Sequence, residues 1–172
     1  MQEKFTFNIE SPRFKRKMVL FKEETETREH VVLKLVAYIL FYDPRLKIEV
    51  AIGTHYKPDL VVEGDFGVPE VWIDCGRVTL KKVEAIATKF RRTRIVLVKS
   101  ERGETMAFRK HVLKKTGDLG NVEMVHFDKG FVEGIASFLD RNNDLVQWQV
   151  TEDDIAVALG DEVFESKVHL LK

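Results

Sequence analysis

Apolar and polar residues alternate from Lys4 to Ile9, with Phe5, Phe7 and Ile9 on one side, which is the period of a half-buried strand. Ser11-Pro12-Arg13 turns the chain and Met18 to Phe21 supplies a second strand, so the N-terminus is expected to form a β-hairpin. The period then changes. Thr25-Glu26-Thr27-Arg28-Glu29 offers hydroxyl caps and first-turn acids. Val32, Leu35, Val36 and Ile39 follow at helical spacing until Asp43-Pro44 stops the helix. Leu46 to Ile52 reads as a strand. Helices are expected at Thr79 to Phe90, Met106 to Lys115 and Gly130 to Leu139, with strands at Arg94 to Val98 and Val122 to Phe127. From Leu145 short alternating runs return: Val146, Trp148 and Val150, then Ile155 to Leu159, then Val163 to Leu170. These are expected to make an all-antiparallel tail that packs with the N-terminal hairpin.

The stretch KPDLVVEGDFGVPEVWIDCG, Lys57 to Gly76, organises the rest. It reads as two short strands joined by the turn Gly64-Asp65-Phe66-Gly67. Asp59 opens the first strand and Asp74 closes the second. A carboxylate at the end of a buried strand is costly unless something pairs with it. Hairpin connectivity brings these two together, and a divalent cation is one partner that favours neighbouring carboxylates. The Cys75 carbonyl is expected to point into the same space. Glu29, and one turn earlier Glu26, extend the buried stripe of the first helix toward it. In phosphodiester hydrolysis such a cation activates the attacking water and neutralises developing charge, and a nearby lysine assists.

Composition narrows the partners. With 172 residues, 44% hydrophobic and 33% charged, the chain is expected to be one soluble domain spanning residues 1–172. Its 28 basic and 28 acidic residues cancel, so a nucleic-acid partner must be met by a local patch. Two candidates are Lys89, Arg91, Arg92 and Arg94, and Lys110, Lys114 and Lys115. The single cysteine, Cys75, excludes an internal disulfide and reads as a buried small apolar residue. No apolar run approaches the ~20 residues that span a bilayer, and MQEKFTFNIE lacks a signal-peptide layout. A cytoplasmic protein with no membrane partner is expected. His30, His55, His111, His126 and His169 show no metal-ligand spacing; only His55, four residues before Asp59, is placed to visit the acids. No glycine-rich phosphate loop follows the first strand, which ranks a Rossmann-like cofactor protein last.

Several segments stand out together: Thr25-Glu26-Thr27-Arg28-Glu29 with Leu33-Lys34-Leu35-Val36-Ala37-Tyr38, Tyr42-Asp43-Pro44-Arg45-Leu46, Pro58-Asp59, and Trp72-Ile73-Asp74-Cys75-Gly76 followed by Lys81-Lys82. In these segments the chain resembles the YaeQ family within the PD-(D/E)XK nuclease superfamily. The resemblance implies an α/β (α+β) fold: a restriction-endonuclease-like mixed sheet flanked by helices, with an additional N-/C-terminal antiparallel β layer. It further implies a Mg2+- or Mn2+-dependent nuclease in which Asp59 and Asp74 hold the metal and Glu29 supports them. The third superfamily motif ends in lysine two residues after its acid, whereas position 76 here is glycine. A lysine from the next helix can substitute, and the resemblance favours Lys81 over Lys82. The alternative, favoured by Gly76 and the neutral charge, is a catalytically degenerate nuclease-like fold acting as a nucleic-acid- or protein-binding regulatory module.

Overall fold

The computed structural model describes residues 1–151 and 153–172, and the side chains of all of these except Gln149 and Val150. Among the described residues there are four α-helices and a ten-stranded mixed sheet, an α+β architecture. The chain runs β1 (Glu3–Glu10), β2 (Lys15–Lys22), α1 (Arg28–Leu40), β3 (Lys47–Ile48), β4 (Leu60–Glu63), β5 (Pro69–Cys75) and α2 (Leu80–Lys89). It continues through β6 (Arg94–Val98), α3 (Arg102–Thr116), β7 (Val122–Phe127), α4 (Phe131–Ser137), β8 (Asn142–Val150), β9 (Asp154–Leu159) and β10 (Glu162–Leu171). The spatial order is β2-β1-β8-β9-β10-β7-β6-β5-β4-β3.

The expected N-terminal hairpin is present: β1 and β2 pair antiparallel with Phe5 opposite Leu20 and Phe7 opposite Met18. Phe5, Phe7, Ile9, Met18 and Leu20 are all buried, as their alternation requires. The hairpin of β4 and β5 is also antiparallel, and β5, β6 and β7 then run parallel, connected through α2 and α3.

The terminal strands differ from the expected separate antiparallel layer. β8 lies parallel to β1, and β10 joins the two halves, pairing with β9 through its first part and with β7 through its last. One continuous sheet results. Helix α1 packs against both β2 and β5, which stand seven places apart in the strand order. In a flat sheet they would be about 33 Å apart at ~4.8 Å per strand, whereas a helix is only ~10–12 Å wide. The sheet therefore curls round α1, and the terminal strands form the wall facing β4 to β7. This is why nine consecutive residues of α1, Val31 to Ile39, are buried: the helix has core on all sides.

The expected strand Leu46–Ile52 shrinks to Lys47–Ile48, because Glu49 takes a left-handed φ of 52° that no strand sustains. The phase of β8 is inverted. Leu145 and Gln147 face the core, while Val146 and Trp148 are 43% and 45% exposed; the side chain of Val150 lies outside the described residues. A bulge lies between Gln147 and Gln149.

Candidate functional site

The acidic pair sits at the open end of β4 and β5. Asp59 immediately precedes β4 and its N–H donates to the Ile73 carbonyl (3.0 Å), which holds it beside Asp74. Their charges interact, yet the two carboxylates are engaged on opposite faces of the sheet. Asp59 Oδ2 accepts from the Cys75 N–H (2.7 Å) and faces His30 Nε2 at 3.4 Å, on the α1 side. Asp74, only 4% exposed, accepts from Trp72 Nε1 (3.0 Å) with one oxygen and from Lys82 Nζ (3.0 Å) with the other, on the α2 side.

The α1 side is a relay of charges. His30 Nδ1 lies 2.9 Å from Glu26, and the buried Lys34 bonds Glu49 at 3.0 Å with Glu26 at 3.7 Å. Thr27 caps the helix by accepting from the His30 N–H, which fixes His30 in the first turn, facing Asp59. Burial alone lowers the His30 pKa; its hydrogen bond to Asp59 and the charges of Asp59 and Glu26 more than restore it, leaving it raised. Asp59 is the mirror case. Burial pushes it up, but His30, the Cys75 N–H and Lys34 outweigh that and leave it lowered.

These opposite shifts define a pH window. A raised histidine contributes fully below its ordinary 6.5 and its contribution fades as pH rises through the raised value. A lowered carboxylate contributes fully above its ordinary 3.8 and fades as pH falls through the lowered value. The pair is therefore at full strength between roughly pH 4 and 6.5. His30→Gln is expected to cost on the order of 1 kcal/mol at pH 5, and less at pH 8.5, by urea unfolding at both. An equal loss at the two pH values would show that the ion pair contributes nothing.

On the α2 side, burial raises the Asp74 pKa against the pull of Lys82, and the charge of Asp59 adds to the rise. Cys75 is buried and its thiol is pushed far up by burial and by both aspartates, so it is an inert thiol.

The structure sorts the candidate lysines. Thr79 caps α2 and Lys82, its third residue, reaches back over Trp72 to Asp74 and to the Lys57 carbonyl (3.1 Å). Lys81, the expected choice, is exposed, and it is Lys82 that bonds Asp74. Gly76 has a physical reason: its φ of +74° is left-handed, and a Cβ there would point at His30 and Leu33. A lysine at 76 would be strained. In its place the neighbouring strand presents Lys99. Cys75 pairs with Val98, so Lys99 follows opposite Gly76, and its Nζ donates to the Gly76 carbonyl (2.9 Å). Lys99 is 2% exposed, and burial lowers its pKa against Glu104 and Asp74.

Of the helix acids, Glu26 binds His30 while Glu29 only lines a cavity of about 360 Å3 with Glu26, His30, Gly76, Arg77 and Glu104. The histidine that reaches the acids is His30. His55 is exposed and packs on Tyr56 instead. His126 and His169 stack at the β7–β10 seam, with His169 on Asp128 at 2.8 Å. The spacing Glu26, His30, Lys34, every fourth residue from just before α1 into it, is the available signal. Lys99 had none, since only strand order places it opposite Gly76.

Neither expected basic patch lies at the acids. Arg94 begins β6 and Lys99 follows its end, so Arg91, Arg92 and Arg94 stand at the opposite end of the strands, with Arg94 paired to Glu123. Helix α3 starts near the site and carries Lys114 and Lys115 away from it.

Oxygen donors of this kind suit a hard divalent cation. Internal cations nevertheless hold both carboxylates, and among the described residues no three acidic, imidazole or thiolate groups form a cluster fit for a metal. No helix among the described residues is long and apolar enough to cross a membrane. The fold and site thus define an α+β protein with a buried and a half-buried acid, held by Lys82 and His30, at the ends of adjacent strands.

The chain belongs to the YaeQ family, whose model, described as YaeQ protein, matches residues 16–168. It is 24% identical over 144 residues to a Salmonella typhi relative described as uncharacterized protein YaeQ, covering 84% of this chain and 77% of that one. The fold is that of the crystal structure of YaeQ from Xanthomonas axonopodis pv. citri, with a TM-score of 0.79, 18% identity and coverage of 98% and 96%. The Pseudomonas syringae YaeQ structure gives 0.78 and 19%, with coverage of 99% and 95%.

Proposed function

We propose that the protein is a single-domain Mg2+- or Mn2+-dependent nuclease with a variant PD-(D/E)XK site on a restriction-endonuclease-like core. One observation supports this reading: Asp59 and Asp74, fifteen positions apart, lie at the ends of adjacent strands near enough for their charges to interact, with a lysine on Asp74. Asp59, Asp74 and the Cys75 carbonyl are the proposed ligands, with Glu29 and Glu26 supporting from α1. A bound cation would polarise the phosphate and lower the pKa of an attacking water. Lys82 holds the charge of Asp74 in the meantime, and His30 orients Asp59.

A second reading has its own support. His30 and Lys82 already neutralise the acids, and glycine stands where the superfamily has lysine. The same fold would then serve as a nucleic-acid- or protein-binding module without cleavage.

Calorimetry with Mn2+ separates the two. Uptake by the wild type, abolished in Asp59→Ala/Asp74→Ala, together with nicking of plasmid or single-stranded DNA lost in the same variant, is the expected result. Uptake or cleavage that survives the double substitution would remove the proposed centre. Failure of the wild type to take up metal would leave the binding module.

A further inference from the structure

Beside the acidic cleft, on the α2 and α3 side of the strand ends, lies a second cavity of about 550 Å3. Arg77 and Glu104 border both. Its floor is Lys99 and one wall is apolar, formed by Val78, Ala107 and Phe108. On α3, Glu104, Ala107, Phe108 and His111 recur at spacings of three and four, which turns a single helix face to this space.

Lys99 makes the cavity more than a gap in packing. Its ammonium has three protons to place. One goes to the Gly76 carbonyl at 2.9 Å, Glu104 stands off at 3.7 Å, and the Phe108 ring centroid is 4.5 Å away. The carbonyl, the carboxylate and the ring leave donor capacity on the ammonium, which an anionic group in the cavity would take up. Arg77, exposed at the rim, offers a forked donor suited to phosphate. Glu104 limits this to an anion that approaches from the Arg77 and Lys99 side.

We propose that this cavity is a nucleotide pocket: a phosphate is held by Lys99 and Arg77, and the base lies along the wall of Val78, Ala107 and Phe108. The space is an open depression whose volume falls in the ~300–1,000 Å3 range of small-ligand sites. A base can enter only from an unstacked strand. The pocket takes a single-stranded end or a flexible single strand. Its place beside the scissile phosphate rests on the nuclease reading; binding itself does not.

Adenosine 5′-monophosphate titrated into the protein with EDTA present, followed by calorimetry, tests the pocket without any metal. Wild type is expected to bind, and Arg77→Ala and Phe108→Ala each to weaken binding about tenfold. Inorganic phosphate is expected to lose affinity in Arg77→Ala and to keep it in Phe108→Ala. Lys99→Met, with folding checked by circular dichroism, should abolish both; Arg77→Ala and Phe108→Ala carry the test should it not fold. No nucleotide binding by wild type, binding untouched by both Arg77→Ala and Phe108→Ala, or phosphate and nucleotide responding alike to Phe108→Ala would each overturn the pocket. Nucleotide binding without Mn2+ uptake would uphold the pocket while the nuclease reading fails, and the reverse pattern would do the opposite.

Discussion

Lys34→Met is expected to lower stability by about 3 kcal/mol, the low end of the ~3–5 kcal/mol for breaking a buried ion pair. The melting temperature should fall by roughly 6–12 °C in a chain of this size. Lys34 stands in the middle of α1 with its side chain wholly buried, and its ammonium bonds Glu49 at 3.0 Å. It also reaches the Phe21 carbonyl at 3.5 Å and Glu26 at 3.7 Å. One cation thereby ties the end of β2, the loop before α1 and the left-handed turn at Glu49 to the helix. Burial alone would lower its pKa, but Glu49, Glu26 and Asp59 outweigh that and raise it. The ammonium therefore persists to pH values above its ordinary 10.5, and its contribution is constant across neutral pH. Methionine keeps the apolar stem, so the loss isolates the charge. The lower end applies because Glu49 keeps 32% of its side chain in water. Thermal melts of Lys34→Met, Glu49→Gln and the double variant check the pairing: the double should lose less than the sum. Identical melts for wild type and Lys34→Met would sink it.

The same residue shows what the sequence could and could not disclose. Amphipathic alternation identified β1 and β2, because a half-buried strand must alternate. The β4–β5 hairpin was legible from its glycine turn and apolar runs. Lys34, in contrast, sits inside an apolar helical run, where a lysine reads as the solvent stripe. The sheet curls round α1 and removes that stripe, and only tertiary structure reveals it. The sequence predicts α3 from Met106, but it begins at Arg102, because Arg102 to Thr105 are polar or glycine and carry no apolar period. The phase of β8 failed for a related reason: Val146 and Trp148 are apolar yet face outward, while Gln147 faces inward. At the site, hairpin connectivity places Asp59 and Asp74 at the ends of adjacent strands, as expected, but their side chains turn to opposite faces. Strand order, which the sequence does not encode locally, brought Lys99 opposite Gly76 and left the expected basic patches at the far strand ends.

Trp72→Ala and Asp74→Asn are expected to move stability in opposite directions although they remove two ends of one hydrogen bond. Trp72 is fully buried beneath α2, with its ring 6.3 Å from that of Phe90 and Val83, Ile86, Ile95 and Leu97 in the same cluster. Truncation to alanine deletes the largest side chain of that cluster and strips Asp74 of a donor, so a loss of about 3–5 kcal/mol is expected. Asp74→Asn leaves an acceptor for the Trp72 N–H and removes a charge that the fold disfavours. Burial has raised the Asp74 pKa, so its ionised form subtracts from stability above its ordinary 3.8, and the deficit disappears as pH falls below that value. Lys82, whose side chain keeps 20% of its surface in water, can solvate when its partner is neutral. Asp74→Asn should therefore melt no lower than wild type at pH 7, and the two should converge near pH 3. A carboxylate kept where it costs stability is the signature of a residue retained for chemistry. Urea unfolding at pH 7 and pH 3 decides the matter. If Asp74→Asn proves strongly destabilising at pH 7, the buried carboxylate is a structural anchor for Lys82 and α2, and the case for a retained functional acid is lost.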